Sequence, residues 1–410
     1  MINEEQIELL IERLINRVEK ANTYFLQNIG SSIKKIGSLT PSKAQQLVQI
    51  LKYGGNYEEI VKEISKYTNL NIKDIDDIFS AYAKKDYEFY KKFYKYRDMS
   101  YIPYEQNQAL TRQTIAFANI VKNEMYDYAK SNVLGYSIMD NQGNIVFKGL
   151  RETYNDLLDT AMLNIGQGKE TFDNAMTKIM KEIGQSGLKT VNYKSERSVR
   201  LDSTIRMHLK SSLRELHNEN QKIIGDEINA DGYEISVHMN PAPDHEQAQG
   251  HQFSIDEYNK LNNGLEAKDY KGKIITLDHD SKNGYRPISE LNCYHYIFSI
   301  VLGVSDPEYN DKQLQDIISN NEKGFEYNGK HYTNYEGTQI QRNIEKAIRE
   351  QKDIQILAKA SDNSELIQES QKNITALTKK YKEFSNISGL PTKMQRLRVS
   401  GYKRVAKSKL

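Results

Sequence analysis

Two short segments hold the residues of this chain that are best suited to chemistry. The first runs from His238 to His251 and carries three histidines, two prolines and a glycine after an apparent strand. The second surrounds Cys293, the only cysteine, and His295. Imidazole and thiolate groups are ligands that zinc prefers, and a carboxylate such as Glu246 can serve as a general base toward a bound water. The sequence therefore presents a candidate metal or catalytic site.

The spacing of these residues also fits a structural cluster. The chain has no paired Cys-x-x-Cys, no His-Glu-x-x-His and no glycine-rich phosphate loop. In the structural interpretation His238 donates to a backbone carbonyl, Asp244 caps the chain that follows, and Cys293 is a small buried residue. A bonded cluster, a structural zinc ion and a catalytic site are thus three open hypotheses. No residue is assigned as catalytic, and no cofactor is expected beyond the structural zinc. The candidates for the cluster or a metal are His238, His245, Cys293 and His295.

The composition indicates a globular but polar protein. Hydrophobic residues make up 38% and charged residues 27%, with 28 tyrosines and no tryptophan. Tyrosine has an apolar body and a polar tip, so it suits surfaces that pack against partners. The net charge of +2 is too small to indicate nucleic-acid binding by the whole chain. The single cysteine excludes an internal disulfide, and neither a signal peptide nor an apolar stretch of ~20 residues is apparent. We therefore expect a soluble protein from a reducing compartment, without a membrane span.

Hydrophobic periodicity predicts an α+β fold that is predominantly α-helical, with long amphipathic helices and one compact α+β domain. The expected helices span residues 3–29, 42–52, 57–67, 71–96, 108–131, 153–163, 171–183, 196–228, 254–261, 336–360 and 363–384. The expected strands are a small hairpin of residues 133–140 and 145–147, then residues 233–238 and 274–277. His208 and His217 lie on the predicted helix 196–228, where an ordinary packed or exposed role is expected.

These elements suggest five consecutive segments. They are an N-terminal helical module (1–103), a helical region with a small β-hairpin (104–190), an α+β domain (191–310), C-terminal helices (311–392) and a basic tail (393–410).

Two basic regions raise the question of contact with DNA. Tyrosines and lysines alternate between Tyr82 and Arg97, which suits either base stacking or a helix with a packed aromatic face and solvated lysines. The tail has no acidic residue and is either a solvated terminus or an arm that contacts phosphate or an acidic partner. The candidate contact residues of the tail are Lys393, Arg396, Arg398, Lys403, Arg404, Lys407 and Lys409.

Four motifs occur in an order that resembles a known family. They are Tyr193-Lys194-Ser195 with Arg200-Leu201-Asp202 and Arg206; Ile235-Ser236-Val237-His238 with Pro243-Asp244-His245 and Gln249-Gly250; Asn292-Cys293-Tyr294-His295 with Gly303-Val304-Ser305; and Tyr335-Glu336-Gly337-Thr338-Gln339 with Gln341-Arg342 and Ile348-Arg349. With these motifs the chain resembles the phage minor capsid protein 2 family, which is related to the Mu F-like head-morphogenesis proteins. The resemblance covers roughly residues 190–350. Ala248, where the family pattern has an aromatic residue, and Tyr294, where it has arginine, depart from it.

The resemblance implies a low-copy, non-enzymatic structural component of the virion, acting in head assembly or in DNA packaging and delivery. Its expected place is inside the phage head or at the portal vertex, after synthesis in the bacterial cytoplasm. The expected partners are the portal and major capsid proteins in a multi-subunit assembly, and packaged DNA through the basic tail. Two alternatives come from the residues themselves. One is a metal-dependent, nuclease-like hydrolase that uses the His/Cys loop, and the other is a DNA-contacting protein.

Overall fold

The computed structural model describes residues 4–68, 72–96, 98–128, 133–140, 142–165, 167–192, 197–277, 286–289 and 293–404. These residues form mainly helices with small antiparallel sheets, which confirms the predicted fold class. Two compact units are present, and each combines three separate stretches of the chain. Unit 1 comprises Met1–Ile11, Ile72–Lys122 and Met207–Gln339, and unit 2 comprises Glu12–Asn71, Asn123–Arg206 and Ile340–Leu410. The five consecutive segments stay a prediction.

The N-terminal third of the chain is helical in its described residues. Its helices are α1 (Glu4–Gly37), α2 (Pro41–Tyr53), α3 (Asn56–Thr68), α4 (Ile72–Phe89), α5 (Lys91–Tyr96) and α6 (Gln108–Tyr128). Helix α1 extends beyond the predicted end at residue 29, because Ile33 and Ile36 continue its buried apolar stripe. The single helix predicted for residues 71–96 is divided at Tyr90, whose backbone N–H bonds the carbonyl of Tyr87, three residues back.

A four-stranded antiparallel sheet lies in unit 2. The elements are β1 (Leu134–Met139), β2 (Ile145–Gly149), α7 (Leu150–Ile165), α8 (Lys169–Ser186), β3 (Lys189–Asn192) and β4 (Arg197–Arg200), with the strand order β2-β1-β3-β4. The predicted hairpin is confirmed as β1 and β2. The helix predicted from residue 196 is wrong at its start, since residues 197–200 pair with β3 in the register Thr190 opposite Val199. This pairing satisfies backbone groups through a partner strand, so it leaves little trace in local periodicity.

Unit 1 contains a three-stranded antiparallel sheet, and residues 236–251, the histidine loop, fold against it. After α9 (Leu201–Ile228) come β5 (Gly232–Ile235), β6 (Gln252–Ser254), α10 (Ile255–Leu261), β7 (Ala267–Lys268), β8 (Ile274–Ile275) and β9 (Ile297–Ile300). Strand β5 is central in the order β6-β5-β9, and β7 pairs with β8. The predicted strand 233–238 ends at Ile235, and β9 was not predicted. The core of this region comprises Tyr233, Ile235, Ala248, Phe253, Tyr258, Leu261, Ala267, Ile275, Leu277, Ile288 and Ile297.

The last elements are α11 (Asp311–Lys323), β10 (Phe325–Tyr327), β11 (Lys330–Tyr332), α12 (Asn334–Ala360) and α13 (Ser364–Ser388). The segment around residues 325–335, for which no regular element was predicted, contains the hairpin β10–β11. Its two turn residues, Asn328 and Gly329, have φ angles of 52° and 73°. An Asn-Gly pair with positive φ at both positions is the preferred two-residue hairpin turn, so this local signal was present in the sequence. None of the described helices is long and apolar enough to cross a lipid bilayer.

Candidate histidine and cysteine cluster

Strand pairing brings the two candidate segments together in unit 1. The histidine loop, residues 236–251, follows β5, and the segment of Cys293 to Tyr296 leads into β9. Because β5 and β9 are antiparallel, with Ile235 opposite Ile297, the end of one strand lies beside the start of the other. Ser236 extends this pairing: its backbone N–H donates to the carbonyl of Tyr296 at 2.8 Å, and its hydroxyl accepts from the backbone N–H of Tyr296 at 2.8 Å.

The Cys293 sulfur lies between two imidazole rings. Its Sγ atom is 3.2 Å from Nδ1 of His245 and 3.3 Å from Nδ1 of His295. The residues are 1%, 1% and 3% exposed, in the order Cys293, His245 and His295. Their ligand atoms all lie within 4.8 Å of one another, which is close enough to hold a single metal ion. The ring of His238, which is half-buried, lies 4.7 Å from the ring of His295.

Bonds on the outer side of the rings orient these histidines. Nε2 of His245 donates to the carbonyl of Arg286 at 2.8 Å, and Nε2 of His238 donates to the carbonyl of Tyr294 at 2.5 Å. The bond from His238 to a backbone carbonyl is of the kind expected from the sequence. A neutral imidazole that donates from Nε2 keeps a lone pair on Nδ1. In His245 this lone pair points toward the sulfur.

Burial sets the charge state of the cluster. It lowers the pKa of His245, and it lowers the pKa of His295 well below its usual value, with the neighbouring His238 and His245 adding to the effect. Burial also raises the pKa of the Cys293 thiol. Without a bound cation, the cluster at neutral pH therefore consists of neutral imidazoles and a protonated thiol.

Asp244 and Gly250 hold the histidine loop in shape. The carboxylate of Asp244 accepts two hydrogen bonds from the guanidinium of Arg286, at 2.7 Å each. The expectation that Asp244 caps the following residues is therefore wrong, because the planar guanidinium fork matches both carboxylate oxygens. Gly250 has a φ of +72°, and an added Cβ atom would lie 2.4 Å from a methyl carbon of Leu314. Only glycine fits this position without strain.

The other candidates of the loop lie outside the cluster. Nδ1 of His251 bonds Oδ2 of Asp269 at 2.8 Å, and His251 is 8% exposed. Glu246 is half-buried and is absent from the described groups of side chains that are placed to share a metal. The clustered ligand atoms therefore belong to His245, Cys293 and His295.

Sequence reasoning missed two buried polar residues of α9, His217 and Gln221, that hydrogen-bond neighbouring elements. The His217 ring lies between the Asp86 carboxylate and the backbone carbonyl of Ile297, at 2.8 Å from each. One turn later, Oε1 of Gln221 accepts from the hydroxyl of Tyr90 and from the backbone N–H of Ser299, at 2.7 and 3.0 Å. These bonds connect α9 to α4, to Tyr90 at the break between α4 and α5, and to β9 within unit 1. The available signal was a pair of polar residues four positions apart, His217 and Gln221, which lie among apolar positions such as Leu213 and Ile224.

The comparisons with known proteins bear on both units. A family model described as Phage minor capsid protein 2 matches residues 2–386, nearly the whole chain. The chain belongs to this family. As a phage minor capsid protein it is a virion component. Neither the curated proteins nor the solved structures give a significant match. The matched range of the minor capsid protein includes every residue of the His/Cys cluster, whereas the basic tail begins beyond it.

In this minor capsid protein the aromatic rings between Tyr82 and Arg97 are largely inside the fold. Tyr82, Tyr87, Tyr90 and Tyr94 are 1–5% exposed, whereas the intervening lysines 84, 85, 91, 92 and 95 are exposed. Such a helix has a packed aromatic face and solvated lysines, and its buried rings are not available for base stacking.

The described part of the basic tail belongs to unit 2 and contacts its helices. Leu397 is 3% exposed, and the hydroxyl of Thr23 donates to the carbonyl of Ser400 at 2.6 Å. Among the candidate contact residues, Arg396 lies 4.0 Å from Glu345 and Arg398 lies 3.2 Å from Glu12. Among the remaining candidates, the backbone N–H of Lys393 donates to the hydroxyl of Tyr381, Lys403 and Arg404 are exposed, and Lys407 and Lys409 lie outside the described residues.

Proposed function

We propose that this chain is a low-copy structural protein of the phage head, located at the portal vertex or on the inner face of the capsid. There it acts in head assembly or in DNA packaging and delivery, with the portal and major capsid proteins as partners. The observation that carries the proposal is the family match, which runs through both units and leaves outside only Met1 and the last 24 residues, 387–410.

The geometry of the cluster favours an architectural role over catalysis. A catalytic metal site keeps an open coordination position for water or substrate, whereas a structural site is closed. His245, Cys293 and His295 are at most 3% exposed, and the outer nitrogen of His245 is used by a backbone carbonyl. The metal-dependent hydrolase therefore has less support than a cluster that holds the histidine loop against the start of β9.

In the described part of the tail, the exposed basic residues at its end are the candidates for contact with packaged DNA. Lys403 and Arg404 are exposed, whereas Arg396 and the exposed Arg398 face the carboxylates of Glu345 and Glu12. We therefore keep DNA contact through the end of the tail as an accessory part of the proposal. A protein that neutralises phosphates loses affinity steeply as salt rises.

Quantitative mass spectrometry of purified particles tests the main proposal. We expect this chain in particles at a small fraction of the copy number of the major capsid protein, and chemical cross-links from its exposed lysines to portal or capsid subunits. Particles that contain none of the chain would overturn the proposal. Comparing filled particles with particles that have ejected their genome then separates assembly from delivery. A delivered protein leaves with the genome, whereas an assembly protein stays in the emptied particle.

The DNA contribution is tested with the charge-reversed variant Lys403→Glu/Arg404→Glu, compared with Lys84→Glu/Lys85→Glu on α4. Both variants change two exposed lysine or arginine residues, but only the first alters the tail. We expect the tail variant to weaken binding to duplex DNA and to reduce its salt dependence, while the α4 variant does not. Equal behaviour of the two variants would remove the tail from the proposal.

A further inference from the structure

We propose that His245, Cys293 and His295 bind one thiophilic divalent cation, zinc in the first instance, as a closed structural site. The site joins the histidine loop to the segment that leads into β9. This inference rests on the local geometry of unit 1 and not on the proposed function in the phage head.

The distances fit a tetrahedral zinc ion. Zinc bonds of about 2.3 Å to sulfur and about 2.0 Å to nitrogen, at tetrahedral angles, place the two ligand atoms roughly 3.5 Å apart. The observed separations of 3.2 and 3.3 Å from the Cys293 sulfur are shorter by only a few tenths of an ångström. A small outward rotation of the side chains therefore makes room for the ion. Since all three groups are buried, the ion would be shielded from solvent.

Hydrogen bonding assigns a lone pair to each inner nitrogen. The Nε2–H of His245 is used by the Arg286 carbonyl, so its Nδ1 has no proton. For His295 the assignment goes through Gln249, whose Oε1 accepts from the backbone N–H of His238 at 2.9 Å. That bond fixes the orientation of the amide, so the atom 3.4 Å from Nε2 of His295 is an acceptor oxygen. Nε2 of His295 therefore carries the proton, and its Nδ1 also presents a lone pair to Cys293.

A single thiol proton cannot satisfy both lone pairs. The S–H of Cys293 donates to one imidazole nitrogen, and the other nitrogen then faces a sulfur lone pair in a buried site. A cation at this point is bound by all three atoms, and the thiol proton leaves to solvent as the zinc–sulfur bond forms. The imidazole N–H bonds to backbone or amide oxygens on the far side are the supporting contacts that metal-bound histidines use.

The surroundings supply a fourth group. The Nε2–H of His238 is bonded to the Tyr294 carbonyl, and its ring lies 4.7 Å from that of His295. A rotation that brings Nδ1 of this half-buried ring to the ion would complete a His₃Cys set.

The chain offers a site-specific test because Cys293 is its only cysteine. We expect the full-length protein, purified after growth with added zinc, to contain about one zinc ion per chain. Inductively coupled plasma mass spectrometry measures this content. Blocking the thiol with an organomercurial should release this zinc in a one-to-one ratio. Replacing zinc with cobalt should produce the near-ultraviolet charge-transfer band of a thiolate–cobalt bond. These measurements use the unaltered protein, so they do not depend on whether a variant folds.

Variants then locate the ion. Cys293→Ser and His245→Gln should weaken zinc affinity by more than about 100-fold, since each removes a direct ligand. His331→Gln is the matched control, because it changes an exposed histidine of the β10–β11 hairpin in the same unit, and it should retain one zinc. The proposal is overturned if the unaltered chain binds less than a tenth of an equivalent of zinc and shows no cobalt–thiolate band. It is equally overturned if bound zinc is not released by thiol blocking. Neither result affects detection of the chain in phage particles, so the two proposals fail independently.

Discussion

The carboxyl group of Glu19 should make unit 2 less stable as pH rises. Glu19 lies on α1 beside a network of buried charges, and it accepts a hydrogen bond from the backbone N–H of Ser400 at 3.2 Å. Burial, together with the nearby carboxylates of Asp202 and Asp353, raises the pKa of Glu19 to about 7, although Arg349 opposes the rise. The substitution Glu19→Gln keeps the shape and a hydrogen-bond acceptor but removes the charge.

The sign and size follow from proton linkage. Between pH 4.5, the ordinary value, and about 7, the folded state holds the Glu19 proton while the unfolded state releases it. Stability from this group is therefore fully present below that range and is lost as pH rises through it. At 1.36 kcal/mol for each tenfold change in the acid constant, the full effect is about 3 kcal/mol, and partial exposure of the side chain reduces it to about 2 kcal/mol. Glu19→Gln should recover this amount at pH 8.5 and less than about 1 kcal/mol at pH 5.

Urea denaturation of the full chain at both pH values, followed by circular dichroism, measures the effect. The control is Glu12→Gln on the same helix, which removes a more exposed carboxylate paired with Arg398. It should change stability by less than about 1 kcal/mol at either pH. If Glu19→Gln destabilises the protein at pH 8.5, or has the same effect at both pH values, the argument from burial is refuted.

Three further substitutions test, in turn, a close helix contact, a helix cap and a buried hydrogen bond. Gly184→Ala places a Cβ atom 2.8 Å from the backbone nitrogen of Ile354, and we expect a loss of about 2 kcal/mol in urea denaturation. An unchanged urea midpoint would show that α8 and α12 do not need this approach. Asn310→Ala removes the capping box of α11; about 1 kcal/mol should be lost, with faster amide exchange in its first turn, and unaltered exchange would contradict this. Gln221→Ala deprives the backbone N–H of Ser299 of its acceptor, so about 1–3 kcal/mol should be lost. A smaller loss than that of the exposed variant Gln315→Ala would count against it.

Local periodicity was sufficient for most helices and for the hairpin of β1 and β2. The residues that define these elements lie within a few positions of one another, so their apolar spacing is visible in the sequence. Local periodicity did not predict every strand. Strand β9 gains its hydrogen bonds from a distant chain segment, since it pairs with β5 in the register Ile297 opposite Ile235. Strand β4 pairs with the neighbouring β3, but its four residues carry too short an apolar pattern to mark a strand.

The sequence by itself determined the fold class, the order of the family motifs and the residue types of the cluster. Only the tertiary structure decided which of these residues meet. His245 and Cys293 are 48 positions apart, and they come together because β5 and β9 are antiparallel neighbours. The tertiary structure also decided that the tyrosines between Tyr82 and Tyr94 are buried and that the carboxyl group of Glu19 has a raised pKa. Residue type gives a side chain its chemistry, but its burial and partners, and therefore its protonation, depend on the chain segments packed against it.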